Sequence, residues 1–312
     1  MTKTKNPKKS NYAKLNQTKK RGAIMLKTNR NKTVAQSVTG RVHNPTVRKT
    51  VQRICADGGV AAYPSVGAIC YNVTIGDSVF GWAGDHVEPD VSCSNADPQE
   101  NDALNFLSCV GNIVTVVSGE AKGRKGFVTG KHGGVEHLIV WFDEQTKNML
   151  CPDDKILVRA QGQGLKIEGL DCVRVLNTSP DLLEKLPIEY KDGKLHVKVA
   201  GIVPAHFMGC GIGSQDAATG DYDIMTADKK SVAQAGLDGL KFGDLVFLQD
   251  CDNTLGRGYF KGSGTVGVVV HSDCVVVGHG PGVTTLLTSK ENVFEPQIDK
   301  NANIGRFLGI IK

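Results

Sequence analysis

The sequence predicts a mainly β fold of two β-barrel-like domains with few short helices, and three observations carry that prediction. Glycine is abundant, at 37 of 312 residues. Apolar runs are short and rich in Val and Ile, side chains that suit a pleated, half-buried surface. Turn dipeptides recur between those runs, as they do where short strands follow one another.

Strands are expected over residues 68–75, 113–117, 126–129, 137–142, 155–159, 196–203, 245–248, 265–270 and 274–277. Short helices are expected over 102–109, 180–186 and 229–235, the second capped by Ser179 with Pro180 in its first turn. The Gly-rich Gln161-Gly-Gln-Gly-Leu and the helical turn near Leu182 separate two groups of strands. The chain therefore divides into a basic arm over 1–34, a small β-barrel over 35–165 and a second β-barrel over 170–312.

At 40% hydrophobic and 22% charged residues the chain is long enough to bury a sizeable core. No stretch approaches the ~20 apolar residues that span a bilayer, so no membrane partner is expected. The start of the chain has no apolar core resembling a secretory signal. Nine cysteines occur without a CxxC pair, which argues against both a disulfide framework and a thiolate zinc knuckle. Buried thiols in a reducing, cytoplasmic setting are the expectation.

Charge is unevenly spread. Residues 1–56 hold fifteen Lys or Arg and no acidic residue, so the other 22 basic residues stand against all 32 acidic ones and the body carries about −10. A Lys-rich arm poor in apolar residues offers nucleic acid a nonspecific partner.

The densest polar cluster of the first domain is Gly81-Trp-Ala-Gly-Asp-His-Val-Glu-Pro. On an extended chain His86 and Glu88 point to one side and Asp85 to the other, which makes Asp85 and His86 candidate metal ligands and His86 and Glu88 candidate acid/base groups. Two carboxylate pairs at i, i+2 follow in the second domain, Asp221/Asp223 and Asp250/Asp252. Each pair crowds like charges on one face, a pattern suited to a divalent cation, with Arg257 a neutraliser or an anchor for an anionic substrate. His132, His271 and His279 are candidate proton carriers. Gly280 and Gly282 suggest an anion-binding turn with Thr284 and Thr285 as hydroxyl donors. Gly209-Cys-Gly-Ile-Gly-Ser only imitates a nucleotide loop, because no acidic-residue context accompanies it. No Gly-x-Ser-x-Gly elbow or His-Glu-x-x-His pair is present.

Residues 116–134 resemble the KOW turn of ribosomal and transcription-elongation proteins: Gly119, Gly123 and Gly126 match its turn positions, and Lys122, Arg124, Lys125 and Lys131 supply charge. The strings from Gly81 to Pro89, Ser118-Gly-Glu-Ala-Lys-Gly, Gly130-Lys-His-Gly-Gly, Gly220-Asp-Tyr-Asp-Ile, Phe242-Gly-Asp-Leu-Val, Val268-Val-Val-His-Ser-Asp and Gly278-His-Gly-Pro-Gly-Val-Thr-Thr resemble a bacterial and archaeal family, domain of unknown function 4438. The resemblance covers Met25 to the end. It implies two barrel domains, the second similar to translation-factor and riboflavin-synthase barrels, and it implies no activity. A fainter similarity links the second domain to the acetamidase and formamidase enzymes, although their Gly-Asp-Gly-His segment has Asn253 after Asp252 here.

From these residues the expected function is a metal-assisted enzyme of C–N hydrolase type, acting on a small polar molecule with a divalent cation, zinc among the options, and assembled as a homo-oligomer. Two alternatives stand beside it: an RNA-binding module using the arm and the 122–131 hairpin, and a noncatalytic scaffold or oligomer subunit.

Overall fold

Residues 36–160 supply six antiparallel strands that wind back on themselves. In chain order they are β1 (Gln36–Val42), β2 (Val91–Ser94), β3 (Ile113–Val116), β4 (Lys125–His132), β5 (His137–Trp141) and β6 (Lys155–Ala160). Neighbours run β6-β1-β2-β5-β4-β3, and β3 pairs with β6 to close the barrel. The structure is a computed structural model that describes residues 19–20, 23–24, 26–46, 52–64, 66–210 and 216–312.

Alternation along β6 sends Ile156, Val158 and Ala160 inward, where they meet Val114, Val128, Leu138 and Val140. One helix, α1 (Pro98–Leu107), lies against the barrel. Asp97 caps it by accepting from the Glu100 amide at 2.9 Å, and Pro98 takes the first turn. Its Leu104 seats over β1 because residue 40 is glycine: a Cβ there would stand 2.7 Å from Leu104 Cδ2. A second helix, α2 (Glu144–Met149), is capped by Asp143.

The second unit holds β7 (Arg174–Val175), β8 (Ile188–Lys191), β9 (Lys194–Val199), β10 (Gly201–Val203), β11 (Tyr222–Asp223), β12 (Leu245–Asp252), β13 (Gly258–Val269), β14 (Gly282–Ser289) and β15 (Phe294–Ile298). One sheet runs β7-β14-β13-β12-β10 with β11 also on β14, and a three-stranded sheet runs β8-β9-β15. Short helices α3 (Pro180–Leu183), α4 (Lys229–Gln234) and α5 (Ile304–Phe307) complete it. The mainly β fold with few short helices is as expected, with closure seen in the first sheet and an open path in the second.

Three local expectations are corrected. Residues 68–75 form turns, with Ile69 alone bridging Val91, because the Asp90 carboxylate takes the Thr74 hydroxyl and the Ile75 amide that a strand would have used. Residues 274–277 are irregular for the same reason: the amides of Cys274, Val275 and Val276 go to Asp273 Oδ1, Asp85 Oδ1 and Cys274 Sγ. Conversely, the supposed anion turn runs straight into β14, a strand buried along its whole length. Its Val, Thr and Leu residues pack on both faces, which erases the alternation that marks a half-buried strand.

Residues 26–34 of the expected arm pack on the body: Leu26 joins the core, and Arg30 pairs with Asp181 and Glu184. Residues 1–18, 21–22 and 25 lie outside the described residues. The two units share their cores. Val110 and Ile139 pack with Leu286 and Leu287, and Val73, Ile75, Val79 and Val87 pack with Tyr222, Phe242 and Val283. The long 66–90 connection thus folds over the second unit and carries Asp85, His86 and Glu88 to the seam.

Candidate functional site

Both units contribute to one cluster of imidazoles and carboxylates at that seam. From the barrel come His132, the last residue of β4, and His137, the first of β5, which face each other in register. The 66–90 connection brings Asp85, His86 and Glu88. The second unit brings Asp221 and Asp223 from β11 and its approach, His271 from just beyond β13, and Cys274 and His279 from the irregular stretch before β14.

The seam is fastened by buried polar contacts. Thr284 on β14 donates to the Lys131 carbonyl at 3.0 Å and accepts the Lys131 amide at 3.1 Å. The Gly133 amide donates to Asp221 Oδ1 at 2.8 Å, and Ser272 Oγ accepts the Val87 amide at 2.8 Å. Lys131 itself is fully buried, its ammonium donating to Asn177 Oδ1 and the Ala218 carbonyl, each at 2.6 Å; burial pulls its pKa down to about 8. Lys131 therefore presents no charge to a nucleic acid. This corrects its place in the basic hairpin, although β3 and β4 do form that hairpin.

The inner half of the cluster is His132, Asp221 and His271, all buried, whose ligand-type atoms lie within 4.8 Å of one another. Glu88, wholly buried, accepts from His132 Nδ1 at 2.6 Å and from His137 Nδ1 at 3.0 Å, and it takes a short bond from the Ser92 hydroxyl. With Nδ1 so engaged, His132 keeps Nε2 as its remaining ring nitrogen, the arrangement in which an outer carboxylate orients a metal-binding imidazole. Burial opposes the negative charge of Glu88, but the two imidazoles outweigh it and hold the carboxyl well below its usual range.

His271 is held similarly. Its Nδ1 meets the Ser272 carbonyl at 2.9 Å, and a carbonyl can only accept, so that nitrogen carries the proton. Nε2 then faces Asp221 Oδ2 at 2.9 Å and Asp223 Oδ1 at 3.2 Å. Neither approach has hydrogen-bond alignment, and His271 Nε2 and Asp221 Oδ2 are buried with no further hydrogen-bond partner among the described residues. An imidazole nitrogen this close to two carboxylates in a dry interior needs positive charge between them, either a proton on Nε2 or a bound cation. Burial favours neutral His271, yet Asp221 and Asp223 overcome it and raise its pKa well above the usual value. Gly282 gives this group its room: a Cβ there would fall 1.8 Å from Asp221 Oδ2 and 2.2 Å from His271 Nε2.

The outer half is His86, Cys274 and His279. His279 Nδ1 lies 2.6 Å from Asp223 Oδ2, His86 Nε2 lies 3.3 Å from His279 Nδ1, and His86 Nδ1 lies 3.2 Å from Asp85 Oδ1. His86 has φ of 52°, the left-handed region that a non-glycine residue rarely adopts. The 85–88 segment is therefore a turn, which sends Glu88 into the barrel and leaves His86 beside Asp85, contrary to the extended reading. Burial opposes charge on His86, and its carboxylate neighbours push it up to about 11.

Of the residues singled out from sequence, Asp85, His86, Glu88, His132, Asp221, Asp223, His271 and His279 meet here. Five do not join them. Asp250 Oδ1 accepts from the Gly262 amide at 2.6 Å, and Asp252 Oδ1 accepts from Thr254 Oγ1 at 2.6 Å. Arg257 donates to the Gly209 carbonyl, Thr284 is spent on Lys131, and Thr285 accepts from Asn253 Nδ2 at 2.8 Å. The loop read as a nucleotide imitation lies, over 211–215, outside the described residues. Sequence reasoning missed Cys274 and His137. The spacing His271-x-x-Cys274-x4-His279 carried a ligand-like signal for the first, and for the second the only cue was its hairpin position opposite His132.

Fold and site together define a mainly β protein of two fused units with a buried cluster of imidazoles and carboxylates at their seam. The chain belongs to the family described as domain of unknown function (DUF4438), whose N-terminal model matches residues 52–184 and whose C-terminal model matches 185–308. It is similar to a solved structure titled "Crystal structure of TM1086", with 46% identity over 91% of this chain and 99% of that one and a TM-score of 0.86. No curated protein matches the chain.

Proposed function

We propose that the chain is a metal-dependent hydrolase acting on a small polar molecule, with amides as the first substrate class, and that His132, Asp221 and His271 hold its cation. One observation carries the reading: His271 Nε2 and Asp221 Oδ2 lie 2.9 Å apart, buried and, among the described residues, without hydrogen-bond alignment, while Asp223 Oδ1 stands 3.2 Å from the same nitrogen. Two imidazoles and a carboxylate are a donor set suited to zinc and its neighbours, with coordination positions left for water and substrate. A cation bound there supplies Lewis acidity, polarising a carbonyl and lowering the pKa of bound water.

The chain's own groups divide the remaining work. Glu88 and the Ser272 carbonyl lock the two ligand imidazoles in the tautomer that offers Nε2. Asp223 contacts His86 and His279, which stand half-buried on the outer side of the inner group. Binding a cation displaces the proton that Asp221 and Asp223 hold on His271, so affinity rises with pH.

The test is metal content by mass spectrometry of protein purified without chelator, followed by a screen of short amides with and without added Zn2+, Co2+ or Mn2+. Stoichiometric metal lost in His271→Ala, with the fold retained by circular dichroism, supports the reading. Protein that takes up none of these metals overturns it.

A further inference from the structure

The outer group has its own ligand chemistry, which the single cation proposed above does not use. His86, Cys274 and His279 each direct one ligand-type atom into a space 4.8 Å or less across. Two imidazoles and a thiol form a soft to borderline donor set, suited to Zn2+ or Co2+ and poorly suited to Mg2+ or Ca2+. The sulfur is positioned from outside that set: Cys274 Sγ donates to Asp85 Oδ1 at 2.9 Å and accepts the Val276 amide at 3.2 Å. Asp85 Oδ1 also accepts the Val275 amide, and its buried Oδ2 has no hydrogen-bond donor; Arg53 Nε approaches no nearer than 3.8 Å.

Asp223 ties this group to the inner one. Its Oδ1 lies 3.2 Å from His271 Nε2, and its Oδ2 lies 2.6 Å from His279 Nδ1 and 3.7 Å from His86 Nε2. One carboxylate thus turns one oxygen to each group, as a carboxylate shared by two metals does. The rings crowd accordingly, with His86 and His271 centred 5.0 Å apart and His132 and His271 4.2 Å apart. The left-handed backbone at His86 fits the same picture, because it is the turn at 85–88 that points this ring toward His279 instead of along the chain.

We propose that the seam holds a second divalent cation, bound by His86, Cys274 and His279 and bridged through Asp223 to the cation of the inner group. This rests on the reading under Proposed function. Binding ionises the thiol, whose proton leaves to solvent, and places two positive centres on either side of one carboxylate. Such a pair clamps both the attacking water and the polarised oxygen of a substrate. The outer cation, beside partly exposed His86 and His279, exchanges faster than the inner one.

Titration of metal-free full-length protein with Co2+, followed by absorption, distinguishes the two proposals. The expected result is uptake of about two equivalents per chain, with a thiolate-to-cobalt charge-transfer band in the near ultraviolet. Cys274→Ser is expected to lose that band and about half of the bound metal, and His271→Ala to keep the band while losing the other half. Uptake of a single equivalent with no thiolate band overturns the second cation and leaves the inner one standing. No uptake overturns both. A band that survives Cys274→Ser assigns the sulfur to another cysteine and overturns this ligand set.

Discussion

Two pairs of carboxylates share one spacing in the chain and meet opposite fates in the fold. Between Asp221 and Asp223, Tyr222 turns wholly into the core, and both acids face His271. Between Asp250 and Asp252 the backbone takes φ of 54° at Asp250, and β12 slips its register on β13 between Gln249 and Cys251. The bulge parts the two acids: Asp250 takes the Gly262 amide, and Asp252 takes the Thr254 hydroxyl with the Lys290 ammonium 3.9 Å from its other oxygen. A carboxylate satisfied by an amide or hydroxyl needs no cation. One that faces an imidazole nitrogen in a dry interior needs positive charge there, which is what the proposed cation would supply.

The sharpest test of that contrast removes one acid from each pair. Asp221→Ala is expected to lower affinity for the inner cation by more than the roughly 100-fold that loss of an outer partner costs, and hydrolysis should fall with it. Asp252→Ala is expected to leave metal content unchanged. Equal metal loss in both variants, read by mass spectrometry, removes the distinction.

A third buried acid sharpens the point, because Asp90 carries its own cation. Lys147 Nζ lies 3.2 Å from Asp90 Oδ1 and also donates to the Cys70 carbonyl. Lys147→Met strands that carboxylate and should cost about 3–5 kcal/mol of stability by denaturant unfolding at pH 8. Burial raises the Asp90 pKa from its ordinary 3.8 to about 6, against the pull of Thr74 and Lys147. The folded state therefore holds this proton more tightly than the unfolded chain, and the cost of the buried charge appears as pH rises from 3.8 through 6. Losing Lys147 raises the folded pKa further, so the variant's deficit is expected to be smaller at pH 5 than at pH 8. A deficit independent of pH between those values contradicts the assignment.

Glu88→Gln probes an acid that holds His132 by its Nδ1 and stands outside the three proposed ligands of the cation. An expected 10–100-fold weakening of metal binding, with little change in thermal midpoint, separates that role from a merely structural one. The smallest effect belongs to Asp250→Asn, where one bond to the Gly262 amide changes character: about 1 kcal/mol of stability, with metal uptake as in the parent.

Much of the fold could be read along the chain because its cues are local. Val/Ile runs between glycines located β3, β5, β6 and the cores of β4, β12 and β13, the Ser179-Pro180 cap located α3, and the stretch 229–235 located α4. β14 escaped, because a strand buried on both faces shows no alternation, and its glycines and threonines looked like a turn. Residues 68–75 and 274–277 were overread, since side-chain acceptors capture their amides. The site was half legible. Clustered His and Asp residues drew notice as residue types, whereas Cys274 looked like one more buried thiol, and His137 becomes meaningful only opposite His132.

Composition and short-range pattern were enough for the mainly β character, the caps, the hairpin turns and the stock of metal-binding side chains, because each depends on residues a few positions apart. Which of those side chains meet was left to the tertiary structure. His86 reaches His279 across 193 residues, and His271 is set against Asp221 only because β13 and β11 both lie on β14. Burial at that seam removes the water that would otherwise solvate the charges, so residues that are ordinary polar groups in an open chain become one coupled cluster, the proposed cation site, once the two units close over them.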